Sequence, residues 1–231
     1  NWEFVLRFWK RTGNRRAMEM VRLTLTKMAR GGMYDQVGGG FHRYVVDGVW
    51  LVPHFEKMLY DQAQLASLYL HAWLALGDPD YRRVSEEILD YVGREMTHPQ
   101  GGFYSAQDAD SEGEEGKFFL WSPEEIRQVL GDSEEARAAL NYWGVETGAN
   151  FEGKNILYVP RDAAEVGAGL KLFPERLARL IAGARAKLYE AREKRVHPGR
   201  DEKVLTSWNG MMCRAFAEAG RALGRTDYTE T

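Results

Sequence analysis

The residues with the most chemical capacity lie close together between positions 31 and 61, in GGMYDQVGGGFHRYVVDGVWLVPHFEKMLYD. Asp35, His42, His54, Glu56 and Asp61 supply two imidazoles and three carboxylates there. An imidazole beside a carboxylate can give or take a proton near neutral pH, so these five are candidate catalytic residues for acid–base work. Trp50 and Tyr60 add aromatic faces that can bind a sugar ring. Two histidines and a carboxylate are also metal-ligating types, but their spacing fits no ligand motif, and neither a metal nor a cofactor is expected. The competing reading is that these groups only satisfy loop backbone and cap a helix.

Two more stretches carry chemistry. QDADSEGEEGKFFLW sets Asp108, Asp110, Glu112 and Glu114 at alternate positions. It departs from a calcium loop, because the ninth residue from Asp108 is Gly116, the twelfth is Phe119, and no helix precedes it. Such carboxylates can bind sugar hydroxyls or act as acid and base on a glycoside; a solvated acidic loop is the alternative. In RDEKVLTSWNG, Trp208 with Asn209 offers an aromatic face and an adjacent amide, again suited to a sugar, although core packing competes for Trp208. The triplet Gly38 to Gly40 precedes no helix start at phosphate-loop spacing and no GK[ST], which rejects nucleotide binding through it.

Apolar periodicity gives the elements that must position these groups. Helices are predicted over about 2–12, 15–30, 54–76, 81–96, 122–130, 134–143, 174–194 and 204–223. A left-handed Gly31-Gly32 is expected to end the second. Asp47-Gly48 between FHRYVV and VWLV predicts a hairpin with a tight type I′ turn. Short strands are predicted at 118–121 and 156–159. LASLYLHAWLAL is apolar nearly all round and belongs in a core. The sequence repeats: FWKRTGNRRAMEMV aligns with AWLALGDPDYRRVS, and LASLYLHAWLALGDPDY with MMCRAFAEAGRALGRTDY, matching Gly13 to Gly77 and Gly77 to Gly224. The same alignment sets Trp208 and Asn209 opposite Asp61 and Gln62. Three copies of a buried helix, glycine turn and amphipathic helix, about 60 residues apart, argue for a mainly α fold, an incomplete α/α toroid of helical hairpins with short β-hairpins in the loops at one end. One domain over 1–231 is expected, with an irregular loop and small-helix insertion at 103–173.

Composition bounds the function. The 231 residues are 44% hydrophobic and 28% charged, with a formal net charge of −3, which gives no electrostatic case for nucleic acid or an anionic membrane. No window reaches the roughly 18–20 apolar residues of a membrane span. The one cysteine, Cys213, excludes an internal disulfide and is expected in the core of its helix, and the chain suggests a reducing, cytoplasmic setting. It lacks an initial Met and stops at DYTET, as a piece of a longer protein would.

These motifs, from GGMYDQVGGGFHRYVVDGVWLVPHFEKMLYDQA through SAQDADSEGEEGKFFLW and NFEGKNILYV to DEKVLTSWNGMM, closely resemble the thioredoxin-domain proteins of the spermatogenesis-associated type and their bacterial relatives. The resemblance implies a six-hairpin α/α toroid preceded by a thioredoxin-like domain. That toroid is similar to those of N-acylglucosamine 2-epimerase, cellobiose epimerase and the six-hairpin glycosidases, and this chain would cover about its first half. Related epimerases use histidines as acid and base, which suits His42 and His54; the glycosidases use a carboxylate pair, which suits Asp108 or Asp110 with Glu56. The implied function is carbohydrate binding or modification, epimerase- or glycosidase-like. The alternative is a non-catalytic scaffold or interaction module for the thioredoxin-like domain. Expected partners are a carbohydrate, the remaining hairpins, the thioredoxin-like domain and a second copy of this chain.

Overall fold

The computed structural model describes all 231 residues. Helices α1 (Trp2–Thr12) and α2 (Arg15–Arg30) form one helical hairpin, and α3 (Leu59–Leu76) and α4 (Pro79–Tyr91) a second. Near the end of the chain, α9 (Thr206–Leu223) and α10 (Thr226–Glu230) form a third. The helices α1, α3 and α9 are inner, with α3 in the middle against both others, and α2, α4 and α10 pack outside them. This is an incomplete α/α toroid of helical hairpins. Each hairpin turns on one of the three aligned glycines: Gly13, Gly77 and Gly224 close α1, α3 and α9 at φ 69°, 74° and 69°, a left-handed conformation that costs glycine little.

Burial follows the apolar pattern. Leu59, Ala63, Ala66, Tyr69, Leu70 and Ala72 of α3 are buried around most of its circumference, whereas α2 buries only the stripe Ala17, Val21, Leu25 and Met28. Val84, Ile88 and Leu89 of α4 face the same core. Each large apolar side chain fully buried there stabilises the fold by about 1.5–3 kcal/mol. In α9 the buried stripe is Met212, Ala215, Phe216 and Ala219. Cys213, expected in this core, falls off the stripe and is exposed.

Between α4 and α9 the chain builds a second helical group, α5 (Pro123–Leu130), α6 (Glu134–Tyr142), α7 (Ala163–Leu170) and α8 (Pro174–Arg192). Trp121, Ile126, Leu140, Trp143 and Leu188 make its core. Ser122 and Glu125 start α5 with a reciprocal capping box. The strands predicted at 118–121 and 156–159 do not form; a single bridge, Trp121 to Asn155, is what remains. Short sheets gather over the ends of α3 and α9: β1 (Tyr44–Val45) with β2 (Pro53–His54), β3 (Lys57–Met58) with β4 (Ala106–Gln107) and β7 (Arg200–Asp201), and β5 (Asp110–Ser111) with β6 (Glu114–Glu115).

Three local expectations change here. Helix α3 begins at Leu59 and not near His54, because residues 53–58 extend into β2 and β3. The β1–β2 hairpin pairs Tyr44 with His54 and Val45 with Pro53, leaving a loop wider than a type I′ turn. The Asp47 carboxylate organises it by accepting the N–H groups of Val49 (2.6 Å), Leu51 (3.1 Å) and Val52. Gly31 is extended at φ −75°. What it and Gly32 supply is close approach, since an added Cβ would lie 2.2 Å from the Trp50 carbonyl and 2.0 Å from that of Leu51.

The repeat extends to a device that joins loops to inner helices. Gly39-Gly40-Phe41 and Gly101-Gly102-Phe103 occupy matching places, each glycine at positive φ. Gln62, on the first turn of α3, accepts the Phe41 N–H (2.8 Å) and donates to the Phe41 carbonyl (2.6 Å). Asn209, at the aligned position of α9, does the same to Phe103, at 2.7 and 3.0 Å.

A buried ion triad ties the two helical groups together. Asp35 lies between Lys57 Nζ and Arg192 Nη1, each at 2.8 Å. It also accepts the N–H groups of Val37 and Gly38, while Lys57 donates to the Gly39 carbonyl at 2.9 Å. Burial alone would raise the Asp35 pKa, but Arg192 and Lys57 outweigh it and hold the carboxyl well below its ordinary range. Burial likewise pulls Lys57 down to about 8, with Asp35 opposing. Removing one partner of such a group strands buried charge and costs about 3–5 kcal/mol. Arg192→Met keeps an apolar side chain at this buried position and leaves Asp35 with one cation. We expect a loss in that range, on the order of 10 °C in melting temperature; a loss under about 1 kcal/mol would mean that the triad does not fasten α8.

Candidate functional site

The remaining titratable groups meet where α3 and α9 begin. Arg43 Nη1 donates to Glu56 Oε2 at 2.9 Å, and the same oxygen lies 3.2 Å from His54 Nε2. His54 Nδ1 is 2.7 Å from Glu115 Oε1 of β6, so both ring nitrogens face carboxylates. The β1–β2 register lays Tyr44 against the imidazole, with the ring centres 5.2 Å apart. Backbone pairing does the positioning: Arg43 N–H donates to the Glu56 carbonyl at 2.8 Å, which aligns the two side chains.

Asp61 differs from every other carboxylate here. It sits in the first turn of α3, half-buried, with no hydrogen-bond or ion-pair partner. Burial raises its pKa to about 7, and Arg43 offsets this only in part. A helix N-terminus favours a negative charge, yet desolvation prevails. Beside it Tyr60 meets Trp208 of α9 edge-to-face at 4.7 Å, so the inner helices put an acid and an aromatic pair together. Below, His42, Phe55 and Phe119 make an aromatic floor.

Not every residue singled out in the sequence joins this group. Asp35 is enclosed in the triad. His42 is buried and donates Nδ1–H to the Phe55 carbonyl at 2.9 Å; burial and nearby Lys57 lower its pKa to about 3, so it stays neutral. The Asn209 amide is taken up by its grip on Phe103. Trp50 packs on the main core at φ 68°. Asp108 is exposed and accepts the N–H groups of Ala109 and Asp110 in its own loop. Asp110 is exposed on β5. Glu114 pairs with Lys117 at 2.6 Å.

Sequence reasoning missed Arg43, Glu115, Tyr44 and Lys57. The Arg43–Glu56 pairing could have been anticipated from the hairpin, whereas Glu115 arrives from a separate loop. One triplet of metal-ligating type, Glu95, Glu193 and His197, forms away from this site. There Glu95 is already engaged by Arg94 at 2.9 Å and by the Tyr189 hydroxyl at 3.0 Å. A cavity also lies elsewhere, between α2, α4, α6 and α8.

Fold and site together define a domain of the incomplete α/α-toroid class with a charged and aromatic rim over its inner helices. By sequence the chain is a relative of one region of spermatogenesis-associated protein 20. It is 40% identical over 234 residues to the Homo sapiens protein, covering 91% of this chain and 30% of that one. It is 41% identical to the Rattus norvegicus protein, covering 90% and 30%, and 35% identical to an uncharacterized Caenorhabditis elegans protein, covering 91% and 32%. The chain thus spans about a third of the length of these curated relatives. No protein-family model matches it. Among solved structures, a family 76 glycoside hydrolase from a bovine Bacteroides thetaiotaomicron strain superposes with TM-score 0.43 at 16% identity, covering 98% of this chain and 42% of that one. A sugar epimerase from a ruminal bacterium superposes with TM-score 0.42 at 11% identity, covering 99% and 70%. At these scores neither neighbour bears on the chemistry of this chain. No helix is long and apolar enough to cross a membrane.

The unpartnered acid gives a signed prediction. The Asp61 carboxyl has an ordinary pKa of 3.8 and a folded one of about 7, so between these values the native state holds a proton that the unfolded chain has released. Native stability should therefore fall as pH rises through this window. Asp61→Asn carries no such group. Its melting temperature should exceed the wild-type value at pH 8 and converge with it at pH 4; equal stability at both would mean that Asp61 is not desolvated.

Proposed function

We propose that this domain binds a carbohydrate at the rim of its inner helices and modifies it by proton transfer, in the manner of an epimerase or a glycosidase. Asp61 is the observation that carries the proposal: a half-buried carboxyl with no partner, pKa about 7, beside Tyr60 and Trp208. An acid is most effective when its pKa lies near the working pH. In this reading Asp61 gives its proton to a sugar oxygen. Glu56, held beside Arg43 and His54, takes a proton from the reacting carbon or the attacking water, and His54 orients it. Tyr60 and Trp208 bind the apolar face of the ring, and Asp108 and Asp110 reach hydroxyls from the acidic loop.

The second reading is a scaffold for neighbouring hairpins and a thioredoxin-like domain of a longer protein. It draws support from the fact that Asp35, His42, Gln62 and Asn209 all serve internal contacts.

A panel of mono- and oligosaccharides, followed by NMR for turnover, tests both readings. The first expects turnover of at least one sugar, lowered about 10²-fold or more by Asp61→Asn and by Glu56→Gln, with unchanged circular dichroism. Absence of both binding and turnover across the panel in the full-length protein favours the scaffold.

A further inference from the structure

Away from the rim, a cavity of about 790 Å³ opens between the outer helices α2 and α4 and the helices α6 and α8 of the second group. None of the rim residues lines it. Its volume is that of small-molecule sites, which are typically about 300–1,000 Å³. Part of its lining is apolar and aromatic, from Tyr142, Trp143, Leu177, Ile181 and Ala182. The lining also carries four guanidinium groups, from Arg30, Arg83, Arg94 and Arg185.

Not every charge lining the cavity is paired. Glu87 is shared by Arg185 and Arg83, the latter at 3.0 Å, and accepts the Tyr34 hydroxyl as well. Burial would raise the Glu87 pKa, but the two guanidiniums outweigh it and keep it ionised. Asp80, at the exposed rim of the cavity, faces Arg83 at 3.4 Å, and Asp78 caps α4. Arg94 pairs with Glu95 at 2.9 Å. Arg30 alone is half-buried at the cavity with no hydrogen-bond or ion-pair partner for its side chain. Arg30 and Tyr142 line the same cavity.

We propose that this cavity binds a small organic anion with an apolar body, its anionic head on Arg30 and its body against Tyr142, Leu177 and Ile181. A guanidinium without a partner provides strong charge-assisted donors for a carboxylate or phosphate. Leu177 and Ile181 have no polar group to offer, which favours a ligand with an apolar body over a purely ionic one. The ligand bridges the two helical groups that the triad joins at their base.

The test uses 1-naphthoate, 1-naphthyl phosphate and neutral 1-naphthol, titrated calorimetrically into the intact protein. At least one anion should bind one-to-one and about tenfold tighter than 1-naphthol, and the tighter of the two identifies the head group. Arg30→Gln should bring that preference to within about twofold, because the charge-assisted bond is gone. Ala182→Trp, which fills the cavity, should abolish binding of all three while circular dichroism stays unchanged. The proposal is overturned by absence of saturable binding at millimolar probe, by an anion preference that survives Arg30→Gln, or by undiminished binding to Ala182→Trp.

Discussion

The buried contact of Asp35 with Lys57 and Arg192 is the constraint on which the rest of this molecule depends. It gathers the glycine loop after α2, the strand that leads into α3 and the last turn of α8. Charge taken out of water is tolerated only where it is matched, and here every polar atom of Asp35 is matched by a cation or a backbone N–H. Lys57 also lies over the Tyr91 ring at 4.2 Å and Arg192 over Phe118 at 4.9 Å, so the cations pack as well as pair. The stringency of this arrangement fixes where β3 ends and therefore where α3 starts.

From that fixed start the two ends of the chemistry follow. Gln62 and Asn209, at equivalent positions of α3 and α9, grip the backbone of Phe41 and Phe103 and set the height of the loops above them. One residue earlier on each helix, Asp61 and Trp208 are left facing the rim. The same two helices thus use one position for architecture and its neighbour for the rim, where Asp61 has no partner and Trp208 packs on Tyr60 and the core. The aligned pairs Asp61-Gln62 and Trp208-Asn209 make this visible as a repeat in space.

Much of the architecture was legible because it rests on local rules. Gly13, Gly77 and Gly224 mark the hairpin turns, and the apolar stripes of α2 and α4 mark the faces that pack. The candidate site was legible only in part. Asp61 and His54 are only partly buried, whereas Asp35 and His42, equally suggestive in type, are enclosed. Their fate is decided by Lys57 and Arg192, and a lysine inside HFEKML reads as surface until its distant partners are known. Asp47 misled for a similar reason: Asp-Gly between alternating runs signals a tight turn, yet its carboxylate captures backbone N–H groups further along and widens the loop. Cys213 shows the limit of an apolar run, since a one-residue step rotates a helix position by about 100° and takes it off the buried stripe.

The chain holds one buried aspartate, Asp35, that is fully matched and one half-buried aspartate, Asp61, that is not. Site-resolved 13C NMR titration of the Asp35 and Asp61 carboxyl carbons between pH 4 and 9 measures this directly. The structure predicts that Asp35 shows no transition in this range and that Asp61 titrates with a midpoint near 7. A midpoint for Asp61 near its ordinary 3.8, leaving it ionised throughout, would contradict the division and remove the acid on which the proposed chemistry rests.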